Sequence, residues 1–457
     1  MAPPPDHPCP PRKIGRRLIG RQRLYDAIVS DSGSGNDGFD GEFGFEGFDP
    51  QAMMSNFMNL FGQGAGAMNQ ALHIATSIAT GGNTEPNVDP VDRIALEQLA
   101  RVAELQIAQK TGLRPTSSQP LSIAPVTKAE WTRRSMGAYK PILEGLATAM
   151  SQPPTSDMGS APEIAMFEQL IGSMRPMMVN MTTGSMVGHL GARSLATYDL
   201  PIPRADSDEL LIVVPNLDAL AQEWSLDRDD LRMWIALSEV AHHTVLSIEH
   251  VARHILSALD AYTRAFEAQS IDIGDLTDFE ASNDLGELQK QIQSMVGDPA
   301  SMLGSLQSDA QRALLPTLAA VVGPVVGYVD YIMDDVGARL ISTYPQLTEA
   351  LRRRRVTASE SDRFIERLLG LEMHQTLFDR GRSFIDGIVD RAGEEALGQL
   401  WLNTESLPTP NEIDAPGLWL ARMGIASEVV ALQSEDKIDG VEIEGAADDL
   451  TPEDFFE

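Results

Sequence analysis

The sequence predicts a mainly α-helical (α+β) fold, with one short strand beside the helix that carries the candidate chemistry. Three observations predict it. Apolar residues recur at three- and four-residue intervals through most of the chain between Val88 and Met423, the spacing of one helix face. Capping residues and glycines punctuate those runs where helices begin and end. One run alone, Glu209-Leu-Leu-Ile-Val-Val-Pro-Asn216, is β-branched and apolar in the manner of a strand. The expected organisation is a disordered, low-complexity region at 1–87, one folded domain at 88–424 and an acidic disordered tail at 425–457.

Taken in order, Met1 to Ser32 mixes prolines with a basic patch and reads as a leader without order. Phe39, Phe43, Phe45 and Phe48 lie among glycines that oppose regular structure, so a linker is expected up to Gly66, its aromatics able to dock on a partner. Pro50 to Ala79 is rich in Met and Ala and suits a loosely held helix. Val91, Ile94, Ala95, Leu99, Val102, Leu105 and Ile107 mark an amphipathic helix that stops at Gly112. Ser117 to Val126 reads as a loop, and Thr127-Lys-Ala-Glu130 as a capping box for the helix of Trp131. Beyond the loop Ser151 to Ala161, a helix runs through Leu170 and Met174. Small residues at helical spacing from Thr183 to Gly191 suit a helix pressed closely against a neighbour.

After the strand, which should end at Pro215-Asn216, Asp227 to Asp230 cap a long helix over Leu231 to Leu256, continued by a second to Ala268. Ile271 to Asp284 reads as an acidic loop and Leu285 to Met295 as a short helix. Gln311 to Thr343 is apolar over much of its length, and Pro316 and Pro324 should kink or divide it. Arg352 to Arg355 are expected between helices, pairing with carboxylates. Helical segments from Ser361 to Trp401 and from Pro416 to Met423 complete the folded part.

Charge excludes some partners. The net charge is −31, and the stretch from Ile425 onward holds eleven acidic residues against Lys437 alone. Such a surface repels nucleic acid and anionic membranes. No stretch is expected to supply the roughly 18 apolar residues of a membrane span. The single cysteine, Cys9, cannot form an intrachain disulfide, and no apolar segment follows the basic leader, so a cytoplasmic location is expected.

The candidate chemistry lies in Trp234-Ile-Ala-Leu-Ser-Glu-Val-Ala-His-His243. In the zinc-peptidase signature H-E-x-x-H, two imidazoles at i and i+4 share one helix face and one metal, and the adjacent Glu handles protons on its water. Here Ser238 stands where the first imidazole would be, followed by Glu239 and His242. A second i, i+4 pair, His250 and His254 with Glu249 adjacent, is an alternative metal set, although Glu249 precedes the first imidazole. Ser238 beside His242 also invites a nucleophile reading, but no Gly-x-Ser-x-Gly elbow occurs.

The strand, Trp234-x-x-Leu-x-Glu239-x-x-His242, Gly327-Tyr-Val-Asp330, Met333-Asp334, Leu369-Gly-Leu-Glu-Met373, Gly381-x-x-Phe384, Trp401 and Leu407-Pro-Thr409 occur in one order. Together they resemble the zincin-like zinc-dependent metallopeptidase family of actinobacteria, a family of hydrolases by label. The resemblance implies zinc held by both His of H-E-x-x-H and by an acidic residue preceding Gly-Tyr on a downstream helix. Carried over, Glu239 matches the general base and His242 one ligand, Ser238 and Val326 occupy the other two ligand positions, and Tyr328 and Asp330 fall on the pocket. Neither Ser nor Val replaces the expected ligand. The function expected is therefore a non-catalytic, metallopeptidase-like protein that binds a peptide or protein partner through its cleft or its acidic, aromatic tails (Phe455-Phe456), without a cofactor. The alternative is an active zinc metallopeptidase using His242 and Glu239 with other ligands.

Overall fold

The computed structural model describes residues 65–113, 121–149, 180, 182–204, 207–266, 307–357 and 359–425. The expectations for the leader, the Gly/Phe segment, the helix of Leu170 and Met174, the stretch from Ile271 to Met295 and the acidic tail lie outside these residues. Helices dominate. α1 (Ala65–Thr80) and α2 (Pro90–Thr111) precede β1 (Ser122–Val126) and α3 (Lys128–Ala149). Helix α4 covers residues 182–193. β2 (Glu209–Val213), α5 (Val214–Trp224), α6 (Arg228–Leu246) and α7 (Glu249–Arg264) follow. α8 (Asp309–Leu340), α9 (Tyr344–Val356), α10 (Glu360–Leu369) and α11 (Gln375–Ala392) lead to two 3-10 turns, Glu394–Trp401 and Thr404–Ser406, and to α12 (Pro416–Arg422).

Local signals set the helix ends, and Gly112 and Asp227 act as expected. Asp89 caps α2, and Gly112 closes it in the left-handed conformation at φ 67°. Asp227 caps α6 by accepting the N–H groups of Asp229 and Asp230. At the expected capping box only half forms: Thr127 Oγ1 accepts the Glu130 N–H, while the Glu130 carboxylate turns to Arg133 and Arg134 and Glu85 accepts the N–H groups of Lys128 and Ala129 instead. In α4 the small residues do let backbones meet: a Cβ on Gly184 would stand 2.6 Å from the Ala71 carbonyl oxygen of α1. That contact, with buried Ala71, Ala75 and Ala79, takes the folded region upstream of the boundary expected at 88.

Other expectations need correction. Within the stretch read as a loop, Ser122–Val126 is β1, which pairs in parallel with β2, Ser122 opposite Glu209 and Val126 opposite Val213. Ser-Ile-Ala-Pro-Val has little strand propensity of its own, and burial of Ile123, Ala124 and Val126 against the core outweighs it. Pro215 does not end a strand but sits in the first turn of α5, where its missing N–H costs nothing. The long helix expected to Leu256 breaks at Ser247-Ile248, so His242 and His250 lie on different helices. Arg352 to Arg355 are inside α9, not between helices.

α8 is one 32-residue helix despite Pro316 and Pro324. Its run is also more apolar than the sequence reading allowed: it is long and apolar enough to cross a membrane by length and composition, with 61% of that window buried inside the protein. The burial is that of a core helix. α8 packs along α11 at a contact with no side chain between the backbones: a Cβ on Gly327 would lie 2.2 Å from the Gly381 carbonyl carbon, and one on Gly381 2.0 Å from the Gly323 carbonyl oxygen. α8 also packs on α6 and α7, and α2 on α6. The buried ion pair Arg232–Asp92 ties α6 to α2.

Candidate functional site

A cavity of about 100 Å³ opens between α6, α8, α9 and the segment that precedes β2. The i, i+4 spacing of α6 delivers Ser238 and His242 to its wall, with Glu239 beside them. α8 contributes Val326, α9 contributes Arg354 and Arg355, and the segment before β2 contributes Tyr198 and Asp199.

The segment is held firmly. Ala196 bridges Ile212 in antiparallel fashion on the free side of β2, the Val213 N–H donates to the Leu195 carbonyl at 2.8 Å, and the Leu211 N–H donates to Thr197 Oγ1 at 2.7 Å. Trp131 Nε1 of α3 donates to the Ala196 carbonyl at 3.0 Å, and Asn216 Nδ2 donates to the Ser194 carbonyl at 2.7 Å. These bonds fix the two amides that matter next.

Glu239 is 2% exposed, and its carboxyl group accepts the Thr197 N–H at 3.0 Å and the Tyr198 N–H at 3.1 Å. Burial drives its pKa well above the ordinary value, the Asp199 charge adds to the rise, and the two amides oppose it. The carboxyl is thus committed to backbone rather than standing free as a base. The neighbouring His243 is buried: its Nδ1 is hydrogen-bonded to the Tyr198 hydroxyl at 2.9 Å and its Nε2 faces Asp208 at 3.5 Å. Burial lowers its pKa.

His242 Nδ1 lies 2.8 Å from the Ser238 carbonyl oxygen, which fixes Nδ1 as the donor and leaves Nε2 with its lone pair. Ser238 Oγ is 3.5 Å from the same Nδ1. A nitrogen that donates to a carbonyl cannot take the serine proton, so the pair is not a nucleophile and its base. Burial pulls the His242 pKa down to about 4, opposed by the Ser238 carbonyl and aided by the Arg355 charge. A depressed pKa means that the unfolded chain takes up the proton first. The neutral imidazole's contribution is complete above about pH 6.5 and is lost as the pH falls towards 4. His242→Gln should therefore recover about 2 kcal/mol of the stability that the wild type loses between pH 7 and pH 4.5. Urea unfolding at both values checks this, and an unchanged pH slope in the variant would count against it.

The remaining predicted positions divide. Val326 reaches the cavity wall, whereas Tyr328 and Asp330 do not line it. Tyr328 packs on Trp401 at 5.2 Å between ring centroids, and Asp330 stands behind Arg355 at 3.9 Å, its pKa raised by burial. Glu249 is exposed and pairs with Arg253, and it forms no ligand set with His250 and His254 on α7. The sequence reading missed Arg193, Asp199, Glu366 and Phe378 as lining residues. It placed Arg354 and Arg355 with carboxylates, and Arg354 does face Asp199 at 3.5 Å.

The donor set does not fit the zinc that the motif resemblance implies. Among the described residues no three His, Cys, Asp or Glu side chains form a metal-ligand group. The wall offers one imidazole, while a serine and a valine stand at the other two positions and both oxygens of Glu239 accept backbone N–H groups. A zinc site asks for at least three nitrogen, sulfur or carboxylate donors from the protein.

The sequence model described as a zincin-like metallopeptidase matches residues 68–420. The fold is similar to that of a crystal structure from Chloroflexus aurantiacus, a candidate hydrolase with a novel fold, at 19% identity and a TM-score of 0.54. The match covers 78% of this chain and 98% of that one. No curated protein matches the chain.

Proposed function

The chain belongs to the zincin-like metallopeptidase family, and from that membership we propose that it keeps the family's cleft without its metal chemistry and acts as a non-catalytic binder of a peptide or protein segment. The observation that carries this reading is the composition of the cavity wall, where Ser238 and Val326 stand with His242 as the one imidazole. The commitment of Glu239 to the amides of Thr197 and Tyr198 supports it further, because a general base must be able to reach a water. One observation favours the competing reading, an active zinc peptidase with other ligands: His242 presents Nε2 with its lone pair, the orientation in which imidazoles bind metals.

Metal analysis of the full chain, purified without chelator, separates the two. No stoichiometric zinc is expected, and zinc that disappears with His242→Ala would overturn the proposal. The double variant Ser238→His with Val326→Glu supplies the missing donors and should bind zinc at about micromolar affinity or tighter. Failure of that variant to bind zinc would mean that these positions do not correspond to the family's ligands.

A further inference from the structure

Most charged groups around the cavity are engaged by close ion pairs or backbone bonds, and Arg355 is the least engaged. Asp199 Oδ1 accepts the Leu195 N–H at 3.1 Å and its Oδ2 faces Arg354 at 3.5 Å. Arg354 also donates to the Arg193 carbonyl at 2.6 Å. Arg193 lies 3.1 Å from Asp362 and 3.6 Å from Glu366. Glu239 is held by its two amides. Arg355 differs. Among the described residues its guanidinium makes no hydrogen bond, its ion contact is Asp330 at 3.9 Å, and it rests 3.9 Å from the centre of the Phe378 ring.

A guanidinium carries five N–H donors in a planar fork whose geometry matches a carboxylate. Taking such a group partly out of water without filling its donors is costly, and Arg355 keeps 28% of its side-chain surface at the wall. The Ser238 hydroxyl also has its proton to give, since Nδ1 of His242 is itself a donor. Beside the engaged charged groups, the wall offers the apolar side chains of Leu195, Ile235, Leu351, Met373 and Phe378. An arginine with open donors beside apolar wall side chains favours an anion with an apolar body.

We propose that the cavity binds the carboxylate of an apolar acid, with the Arg355 fork as its counter-charge, Ser238 Oγ as a second donor, and the aliphatic and aromatic wall holding the body of the ligand. The inference rests on the proposed lack of a zinc ligand set, because a bound metal would compete for the same carboxylate. The carboxylate comes from a peptide C-terminus or from a free small acid, and the two sources are separable.

The test is calorimetric titration of the full chain, dialysed against 1,10-phenanthroline, a chelator that bears no carboxylate. Three probes are used: acetyl-Ala-Leu with a free carboxylate, the same peptide as its amide, and 4-methylpentanoate. At least one carboxylate should bind, with the amide about tenfold or more weaker than the free peptide if the peptide is the source. Binding of the peptide alone identifies a peptide C-terminus, and binding of 4-methylpentanoate alone a small acid. Arg355→Gln should weaken the carboxylate by about 10- to 100-fold, and Arg355→Lys by about tenfold, since it keeps charge and loses the fork. The inference is overturned by the absence of binding up to ~10 mM of either carboxylate, by equal affinity for acid and amide, or by unchanged affinity in both Arg355 variants. The comparison of acid with amide uses the unmodified protein and decides the matter even where a variant fails to fold. Zinc added to the same samples distinguishes the two proposals. Neither carboxylate nor zinc binding overturns this inference alone, and carboxylate binding that requires zinc overturns both.

Discussion

Gly327→Ala is expected to destabilise the protein by about 3 kcal/mol or more. The added Cβ would meet the Gly381 carbonyl carbon at 2.2 Å, its oxygen at 2.3 Å and the Arg382 nitrogen at 2.6 Å. Those are backbone atoms of α11, so no side chain can rotate away, and relief requires the two helices to separate. Separation would open contacts along α8, whose neighbours Val325, Val326, Val329 and Ile332 are almost fully buried. Urea unfolding followed by circular dichroism measures the loss. A variant within about 1 kcal/mol of the wild type would show that the helices are not in backbone contact.

Glu239→Ala carries the second large effect, a loss of about 3 kcal/mol. The substitution leaves the Thr197 and Tyr198 N–H groups buried without an acceptor and removes the volume of a side chain that is 2% exposed. Glu239→Gln keeps an acceptor oxygen and most of the volume and should lose about 1 kcal/mol. The pH dependence separates packing from charge. The folded pKa of Glu239 is raised, so its contribution is complete below the unfolded carboxyl value of about 4.5 and is lost as pH rises through the folded one. Glu239→Gln should therefore remove a decline in stability on the alkaline side, opposite in sign to the His242 effect on the acid side. Chemical denaturation across pH 5 to 9 tests this. A decline that persists unchanged in the Gln variant, or an Ala variant as stable as the wild type, would refute the assignment.

The sequence made the helices legible wherever a local signal decided them. Asp227 and Gly112 terminate their helices through bonds within a few residues, and the β-branched run of β2 needed no partner to be recognised. β1 was not legible, because its five residues become a strand only through pairing with a segment far along the chain. The break at Ser247 and the continuity of α8 through two prolines are likewise set by packing rather than by propensity. Within the site, Ser238, Glu239 and His242 stood out because one helix turn brings them together. Arg193, Asp199, Glu366 and Phe378 come from four other places, and no spacing rule links them. The family resemblance placed Tyr328 and Asp330 on the pocket, but Tyr328, two positions on from Val326, turns to Trp401, and Asp330, one turn on and on the same face as Val326, contacts Arg355 instead of lining the cavity.

Val326 and Gly327 are neighbours with separate duties. One shows its side chain to the cavity, and the other has none so that α8 can lie on α11. Ser238 likewise faces the cavity from a helix whose other residues are almost all buried in the core. Exchange of a few wall side chains can therefore alter the chemistry of the cavity without touching the backbone contact that seats α8 on α11.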